Sequence, residues 1–286
     1  MEIVRNYRNN KELRDSFNEL TEKTFGLNFE NWYQNGFWGD NYEPFSLVED
    51  GKIVANVSLN RTDLKNGERV YRLWQIGTVA TDEAYRNRGY IREIMKEIDK
   101  VVGKDPVYLF ANDSVVDFYP KFGFVPAREY MWMRRVENTG ENRYKNIPMK
   151  NSTAWAKLSK AMEENIFPTA CEIIGNPELT FFYVSQFMQD CVYYCEDINT
   201  WVIAEIENGE LMLHNVYSST ETELNKVIEA FGKDIKSVKL GFSPADTTGF
   251  FMEEYHEEDC NFFTRGDIIR LLFDVKHLRI PTLAHA

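Results

Sequence analysis

Hydrophobic positions in the first half of the chain repeat with two periods, which predict helices and strands in alternation. Leu13, Phe17 and Leu20 recur at helical spacing behind Asn10, a residue type that caps helix starts. Residues 89–102 carry apolar side chains at i, i+3, i+4 and i+7, which predicts a second amphipathic helix.

Strands are indicated by alternation and by turn residues. A hairpin is predicted around Asp50-Gly51, a dipeptide that two-residue hairpin turns favour. Further predicted strands are "RVYRLWQIGTVAT", "PVYLFAN" and "EYMWMRRV", and "DSVVDFYPKF" predicts a short helix. The order helix, hairpin, strand, helix, strand, helix, strand is typical of an α/β domain with a mixed sheet.

The second half repeats this order after a polar bridge. Trp155, Leu158 and Met162 mark an amphipathic helix, and a longer helical stretch is expected to run to Cys195. A hairpin across Asn208-Gly209, a helix and a strand follow. We therefore expect one domain over residues 1–137, a linker over 138–150 and a second domain over 151–286.

Composition narrows the functional class. The formal net charge is −12, with 45 acidic against 33 basic residues, so we expect no nucleic-acid partner, because phosphate contacts need concentrated Lys and Arg. No apolar run approaches the roughly 18 residues of a membrane helix. The four cysteines and four histidines show no metal spacing. We expect a cytoplasmic protein with reduced thiols, no metal and no membrane partner.

One short stretch, "TDEAYRNRGYIREIM", concentrates positive charge at the predicted start of a helix. The free N–H groups of a helix N-terminus suit a phosphate, and Gly89 would allow close backbone approach. Arg86 and Arg88 would add charge-assisted contacts. Taken alone, the same residues fit a capped helix with solvated arginines.

The surrounding sequence distinguishes the two readings. "VATDEAYRNRGYI" resembles the acetyl-CoA pyrophosphate loop of the GNAT superfamily of N-acetyltransferases, with Arg86, Gly89 and Ile91 at its three pattern positions. "YLFANDSVVDFYPKFGFVPA" resembles the second signature of that family, with Asn112 and Tyr119 where expected. The resemblance covers roughly residues 1–137 and implies a GNAT fold.

Ile91 departs from the small residue usual at its position. The large aliphatic residue at this position and the segment "FYPKFGFVPA" both resemble features of the enhanced-intracellular-survival aminoglycoside acetyltransferases. Those enzymes pair an active GNAT domain with a degenerate one. Here 28 residues lead from Val79 to Val107, but only 22 from Val216 to Val238, and the shortfall lies where the arginine-glycine loop would be. We expect the second copy to be a degenerate GNAT-like domain without cofactor, serving as a platform, an acceptor-pocket wall or an oligomer surface. An unrelated small α/β domain is the alternative.

The resemblance implies acetyl-CoA as co-substrate and direct attack by a primary amine. A backbone N–H, that of Val79, would stabilise the oxyanion, and Tyr119 would protonate the leaving thiolate. Alternatively, Tyr119 only packs on the sheet. The expected cofactor contacts are Gly77, Thr78, Val79, Arg86, Asn87, Arg88, Gly89, Tyr90, Ile91, Asn112 and Tyr119.

The acceptor side is less well defined. An aromatic loop is predicted to wall an apolar or cation-binding pocket with Trp32, Phe37, Trp38, Tyr42 and Glu43; the alternative is that its rings form core. Candidate general bases are Glu30, Asp40, Glu43 and the terminal carboxylate of Ala286, the last because the survival-type enzymes are thought to use theirs.

Three functions remain. The first is an N-acetyltransferase acting on a small-molecule or peptide amine. The second is a non-catalytic acyl-CoA sensor, and the third is a tRNA-dependent aminoacyl transferase, against which the acidic charge counts.

Overall fold

The computed structural model describes residues 2–285 as two seven-stranded sheets and one three-stranded sheet, together with helices. The strands are β1 (Glu2–Val4), β2 (Tyr42–Glu49), β3 (Lys52–Arg61), β4 (Asp63–Asn66), β5 (Arg69–Tyr71), β6 (Trp74–Thr81), β7 (Val107–Ala111), β8 (Val125–Pro126), β9 (Glu129–Arg135), β10 (Lys145–Asn146), β11 (Glu172–Ile174), β12 (Val192–Cys195), β13 (Thr200–Glu207), β14 (Glu210–Ser218), β15 (Ser237–Leu240), β16 (Phe251–Tyr255) and β17 (Asn261–Arg265). The α-helices are α1 (Lys11–Phe25), α2 (Glu30–Gln34), α3 (Tyr90–Val102), α4 (Ser152–Glu163), α5 (Pro177–Gln186), α6 (Leu224–Glu229) and α7 (Asp267–Lys276).

The predicted α/β class is confirmed, and the strongest local signals mark real elements. The Asn10 side chain accepts hydrogen bonds from the N–H groups of Glu12 and Leu13 and so caps α1. Asp50 and Gly51 both have positive φ and close the β2–β3 hairpin. The helix predicted over 89–102 is α3, whose apolar stripe packs on the first sheet.

Three local predictions were wrong. Residues 113–122 form two 3₁₀ turns, Asp113–Val115 and Tyr119–Phe122, instead of one helix, since Pro120 lacks the N–H that a regular helix needs. Residues 69–81 are two strands, β5 and β6. The helix expected to reach Cys195 ends at Gln186, and Cys195 lies in β12.

The two sheets exchange strands. The first has the order β1-β2-β3-β6-β7-β17-β8, so β17 of the second half lies between two strands of the first. The second has the order β10-β12-β13-β14-β15-β9-β16, so β9 of the first half is paired on both sides by second-half strands. The expected linker at 138–150 therefore does not separate the hydrogen-bonded sheets.

The corresponding strands of the two sheets share a detail beyond their order. β6 in the first sheet and β14 in the second each pair in parallel with the next strand, β7 or β15, over only their own first residues. Each also carries a bulge against its antiparallel neighbour, β3 or β13. This correspondence is that of a duplicated unit.

The interface between the halves is also built from smaller contacts. β11 pairs with β4 in a three-stranded sheet, and α5 packs against α2. Within residues 2–285 the structure contains no helix that is both long and apolar enough to cross a membrane.

Candidate active site

The candidate site is a cleft where β6 and β7 part. Trp74–Ile76 pair in parallel with Val107–Leu109, but the pairing stops there although both strands continue. A cleft of about 1060 Å³ opens at this point. The backbone of residues 77–81 that faces it has no neighbouring strand on the β7 side, which leaves polar groups for a ligand.

A bulge interrupts β6 inside the cleft. Asn56 lies opposite Ala80 and Ser58 opposite Gly77, so Thr78 and Val79 together face the single residue Val57. Thr78 has a φ of 49°, in the left-handed region that β-branched residues rarely adopt. The bulge turns part of the β6 backbone out of the β3 ladder at the point where the cleft begins.

The N-terminus of α3 borders the cleft further along. Gly89 is its N-cap with a φ of 79°, and no side chain caps the helix. A Cβ added at Gly89 would meet no atom within 4 Å, so the space outside this helix end is open. Unpaired N–H groups and the positive end of the helix dipole suit an anion of several oxygens, such as a pyrophosphate.

Positively charged side chains add to the positive potential at the start of α3. The cations among the lining residues are Arg86, Arg88, Arg92 and Lys121, whereas Asp259 supplies the carboxylate. Arg88 is held back from the opening, because it donates to the Ala84 carbonyl at 3.0 Å and lies over the Tyr85 ring. Arg86 is largely exposed and pairs with Glu83 at 3.5 Å. Within a chain of net charge −12, this cleft is a local concentration of positive side chains, which suits a polyanion.

Tyr119 lies on the opposite wall. Its ring is buried against Phe124 and Phe263, and its hydroxyl makes no hydrogen bond among residues 2–285. Burial raises the pKa of Tyr119 to about 12, so the phenol is protonated at neutral pH. An unpartnered hydroxyl at the edge of a cleft is free to donate to a bound molecule.

The second half contributes directly to this wall. Asp259, in the turn between β16 and β17, accepts from the Asn112 amide at 2.6 Å and from the backbone N–H of Asp113 at 2.6 Å. Asn112 and Asp259 both line the cleft. Nothing in the acidic local sequence around Asp259 indicates this contact.

Every residue predicted as a cofactor contact lines this one cleft: Gly77, Thr78, Val79, Arg86, Asn87, Arg88, Gly89, Tyr90, Ile91, Asn112 and Tyr119. Ile91 is half-buried and packs against the core under α3, which accommodates the large side chain at that position. The sequence did not indicate Thr24, Phe25 and Leu27 at the end of α1, which also line the cleft.

The predicted acceptor pocket is wrong, because its aromatic residues form core. Trp32, Trp38 and Tyr42 are buried in one cluster with α1 residues. The indole N–H of Trp32 donates to the Glu178 carbonyl at 3.1 Å, and Phe37 packs on Phe181 of α5. Burying several large rings together, with their polar edges satisfied, stabilises the junction of the halves and leaves no aromatic face for an ammonium group.

The carboxylates proposed as general bases are paired away from the cleft. Glu30 bonds Arg14 at 2.7 Å, which lowers the pKa of Glu30. Asp40 pairs with Arg8 at 2.7 Å, and Glu43, also predicted at the acceptor site, pairs with Arg5 at 2.6 Å. None of these three acids lines the cleft. Ala286 lies outside the described residues.

In the second sheet, the place where β14 and β15 part is filled by other residues of the same chain. β14 pairs with β15 only over Glu210–Leu213. Beside the end of β15, Thr282 donates its N–H to the Gly241 carbonyl at 2.8 Å. A Cβ on Gly241 would come within 2.5 Å of the Thr282 hydroxyl, and Leu283 packs in the core below. Residues 279–284 therefore occupy the place in the second sheet that corresponds to the cleft between β6 and β7.

One group of side chains has the composition of a metal site. Donor atoms of Glu257, Cys260 and His285 lie within 4.8 Å of one another, a grouping that their sequence separation concealed. Burial, and after it the positive charge of the buried Arg279, lower the pKa of His285. The charge of Arg279 would also repel a cation. We assign the group no role.

Comparison with known proteins agrees with this geometry. Residues 6–127 match the model of the acetyltransferase (GNAT) domain. Solved structures with a similar fold include a probable N-acyltransferase of unknown function from Enterococcus faecalis, 15% identical with a TM-score of 0.60 over 92% of this chain and 71% of that one. Eis1 from Mycobacterium abscessus is 11% identical with a TM-score of 0.57 over 96% and 76%. A GCN5-related N-acetyltransferase from Kribbella flavida is 16% identical with a TM-score of 0.53 over 92% and 70%. No curated protein matches the chain.

The chain thus contains a GNAT acetyltransferase domain. Because the similar structures extend over both halves, the fold as a whole is that of tandem GNAT-like domains. At these identities the solved structures establish the fold alone, and the family match supports acyl transfer as the class of activity.

Proposed function

We propose that this protein is an acetyl-CoA-dependent N-acetyltransferase that acetylates a primary amine of a small molecule or peptide. The observation that carries the proposal is a single cleft that joins the unpaired β6 backbone, the uncapped N-terminus of α3 and the free hydroxyl of Tyr119. The β6 backbone suits an extended pantetheine arm, and the α3 N-terminus suits a pyrophosphate. The Tyr119 hydroxyl suits a departing thiolate.

Acetyl-CoA supplies the acetyl group as an activated thioester. The N–H groups at the start of α3 and the nearby arginines would hold its pyrophosphate, and Gly89 keeps the approach to them clear. The Gly77–Val79 backbone would align the arm, as an added strand aligns on a sheet edge.

Val79 and Tyr119 then act on the reacting atoms. As the amine forms its bond to the carbonyl carbon, negative charge develops on the carbonyl oxygen, and the Val79 N–H stabilises it. The C–S bond breaks, Tyr119 donates its proton toward the sulfur, and water takes the proton that the amine loses. Because burial raises the pKa of Tyr119, we expect its contribution near the lower end of the hundredfold to ten-thousandfold range of such donors.

The experiment is a thiol-release assay with acetyl-CoA across a panel of amines, including aminoglycosides, polyamines, amino acids and peptides. At least one amine should accelerate thiol release in proportion to protein concentration. Tight acetyl-CoA binding without turnover on any amine would identify an acyl-CoA sensor instead.

A further inference from the structure

Thr78 is the residue of β6 whose backbone conformation needs explanation. A threonine at a φ of 49° is strained, because its branched side chain crowds the backbone in the left-handed region. Such strain persists where surrounding groups hold it in place. Thr78 directly precedes Val79, so its φ and ψ set the direction of the next peptide group.

Residues of β2 and β3 hold Thr78 through two partly buried hydrogen bonds. The Asn56 amide on β3 donates to the Thr78 carbonyl at 2.8 Å. The Tyr42 hydroxyl on β2 lies 3.1 Å from the Thr78 hydroxyl. The bond from Asn56 restrains the Thr78 carbonyl, and the bond to Tyr42 restrains the Thr78 side chain. Rotation of either group would therefore break one of these bonds.

A second set of bonds fixes those two partners. Ser58 donates to the Tyr42 hydroxyl at 2.8 Å and accepts from the Asn56 amide at 2.9 Å. The Ser46 hydroxyl donates to the side-chain Oδ1 of Asn56 at 2.7 Å, and the Tyr7 hydroxyl lies 2.6 Å from that of Ser46. All of these side chains are buried. Connected, satisfied bonds away from water are mutually strengthening and rigid.

We propose that Asn56 is a positioning residue for acyl transfer, with Tyr42 as its partner. Together they hold the Thr78 bulge in the left-handed conformation that aims the following backbone N–H at the reacting carbonyl. This inference rests on the proposed function for its kinetic consequence, but its structural part is independent of it. Tyr42 thereby acts at the site indirectly, in place of the acceptor contact predicted for it.

The chain provides a matched control for Asn56. Asn60 lies on the same face of β3, and the two side chains are equally buried, at 1% and 0% exposure. Its amide nitrogen and oxygen have no hydrogen-bond partner among residues 2–285. Asn56→Leu and Asn60→Leu therefore make the same change in similar surroundings, and only the first removes a bond to Thr78.

The test combines crystal structures of both variants with kcat and the Kd for acetyl-CoA. In Asn56→Leu we expect Thr78 to relax to a negative φ, and kcat to fall about 10- to 100-fold, since small misplacements of reacting groups have effects of this size. The Kd should stay within about threefold of wild type, because the pyrophosphate cradle is untouched. Asn60→Leu should keep the positive φ and a kcat within about threefold.

A second variant covers the case in which Asn56→Leu does not fold. Tyr42→Phe keeps the ring in the core and removes only the hydroxyl, and it should lower kcat at least threefold at unchanged Kd. A positive Thr78 φ in Asn56→Leu, or equal losses of kcat in the Asn56 and Asn60 variants, would overturn the inference. If wild-type protein turns over no amine, the proposed function fails, and the Thr78 φ still decides this inference.

Discussion

The ring of Tyr119 packs against that of Phe263, with ring centroids 6.1 Å apart, although Phe263 belongs to β17 of the second half. The same strand lies beside β7, and the turn before it binds Asn112. The second half therefore completes the wall of the candidate active site as well as forming its own sheet. In this way the degenerate second domain contributes structure to the candidate active site of the first domain.

Replacing Gly89 with Val should weaken acetyl-CoA binding by about a hundredfold or more, equivalent to roughly 3 kcal/mol. The new side chain would strain a φ of 79° and project into the open space beside the α3 N-terminus. Calorimetry should give one site per wild-type chain and no measurable site in the variant.

Gly103→Val is the control for Gly89→Val. Gly103 ends the same helix, also with positive φ and no atom within 4 Å of an added Cβ, but it does not line the cleft. Its variant should bind acetyl-CoA within about threefold of wild type. Equal affinities in the two variants would show that the ligand does not bind at the start of α3.

Tyr119→Phe should reduce kcat by roughly a hundredfold while leaving the Kd for acetyl-CoA nearly unchanged. The phenyl ring keeps its packing against Phe263, so Tm should change little. Tyr144→Phe is a suitable control, because the Tyr144 hydroxyl also lacks a partner in the described chain but is buried in the second core, away from the cleft. A loss of kcat below about threefold in Tyr119→Phe would remove Tyr119 from the mechanism.

Trp38→Ala should destabilise the fold by about 3–5 kcal/mol, as expected for deleting a buried indole. Trp38 stacks on Trp32 in the core at the junction of the halves, and its N–H donates to the Tyr42 carbonyl at 3.2 Å. Denaturant unfolding should show the loss, with the acceptor KM of the folded enzyme unchanged. A selective rise in that KM without loss of stability would restore the aromatic pocket that the sequence suggested.

Local signals made much of the first domain predictable. The period of the apolar residues in α3, the Asp50-Gly51 turn and the glycine before α3 each depend on a few adjacent residues. The residues predicted as cofactor contacts line one cleft, and the sequence indicates them because the loop and the Tyr119 segment carry their patterns in short stretches.

Features that depend on contacts between residues far apart in the sequence could not be predicted from local patterns. The alternation in β9 indicates a strand but cannot say that its neighbours are β15 and β16. Asn56, Ser58 and Asn60 alternate with apolar residues as a solvent-facing strand would, yet they are buried in a strand against which α1 packs. The aromatic composition of the loop predicts a pocket that the structure does not have. Composition cannot distinguish rings that line a cavity from rings that pack on one another.

The central claim is that acetyl transfer to an amine occurs in the cleft between β6 and β7. The most direct measurement follows free thiol and acetylated amine together, by thiol assay and mass spectrometry, for the best amine of the panel. The account predicts equal amounts of both products from wild-type protein and neither above background from Gly89→Val. Thiol released without acetylated amine, or undiminished transfer by Gly89→Val, would contradict it.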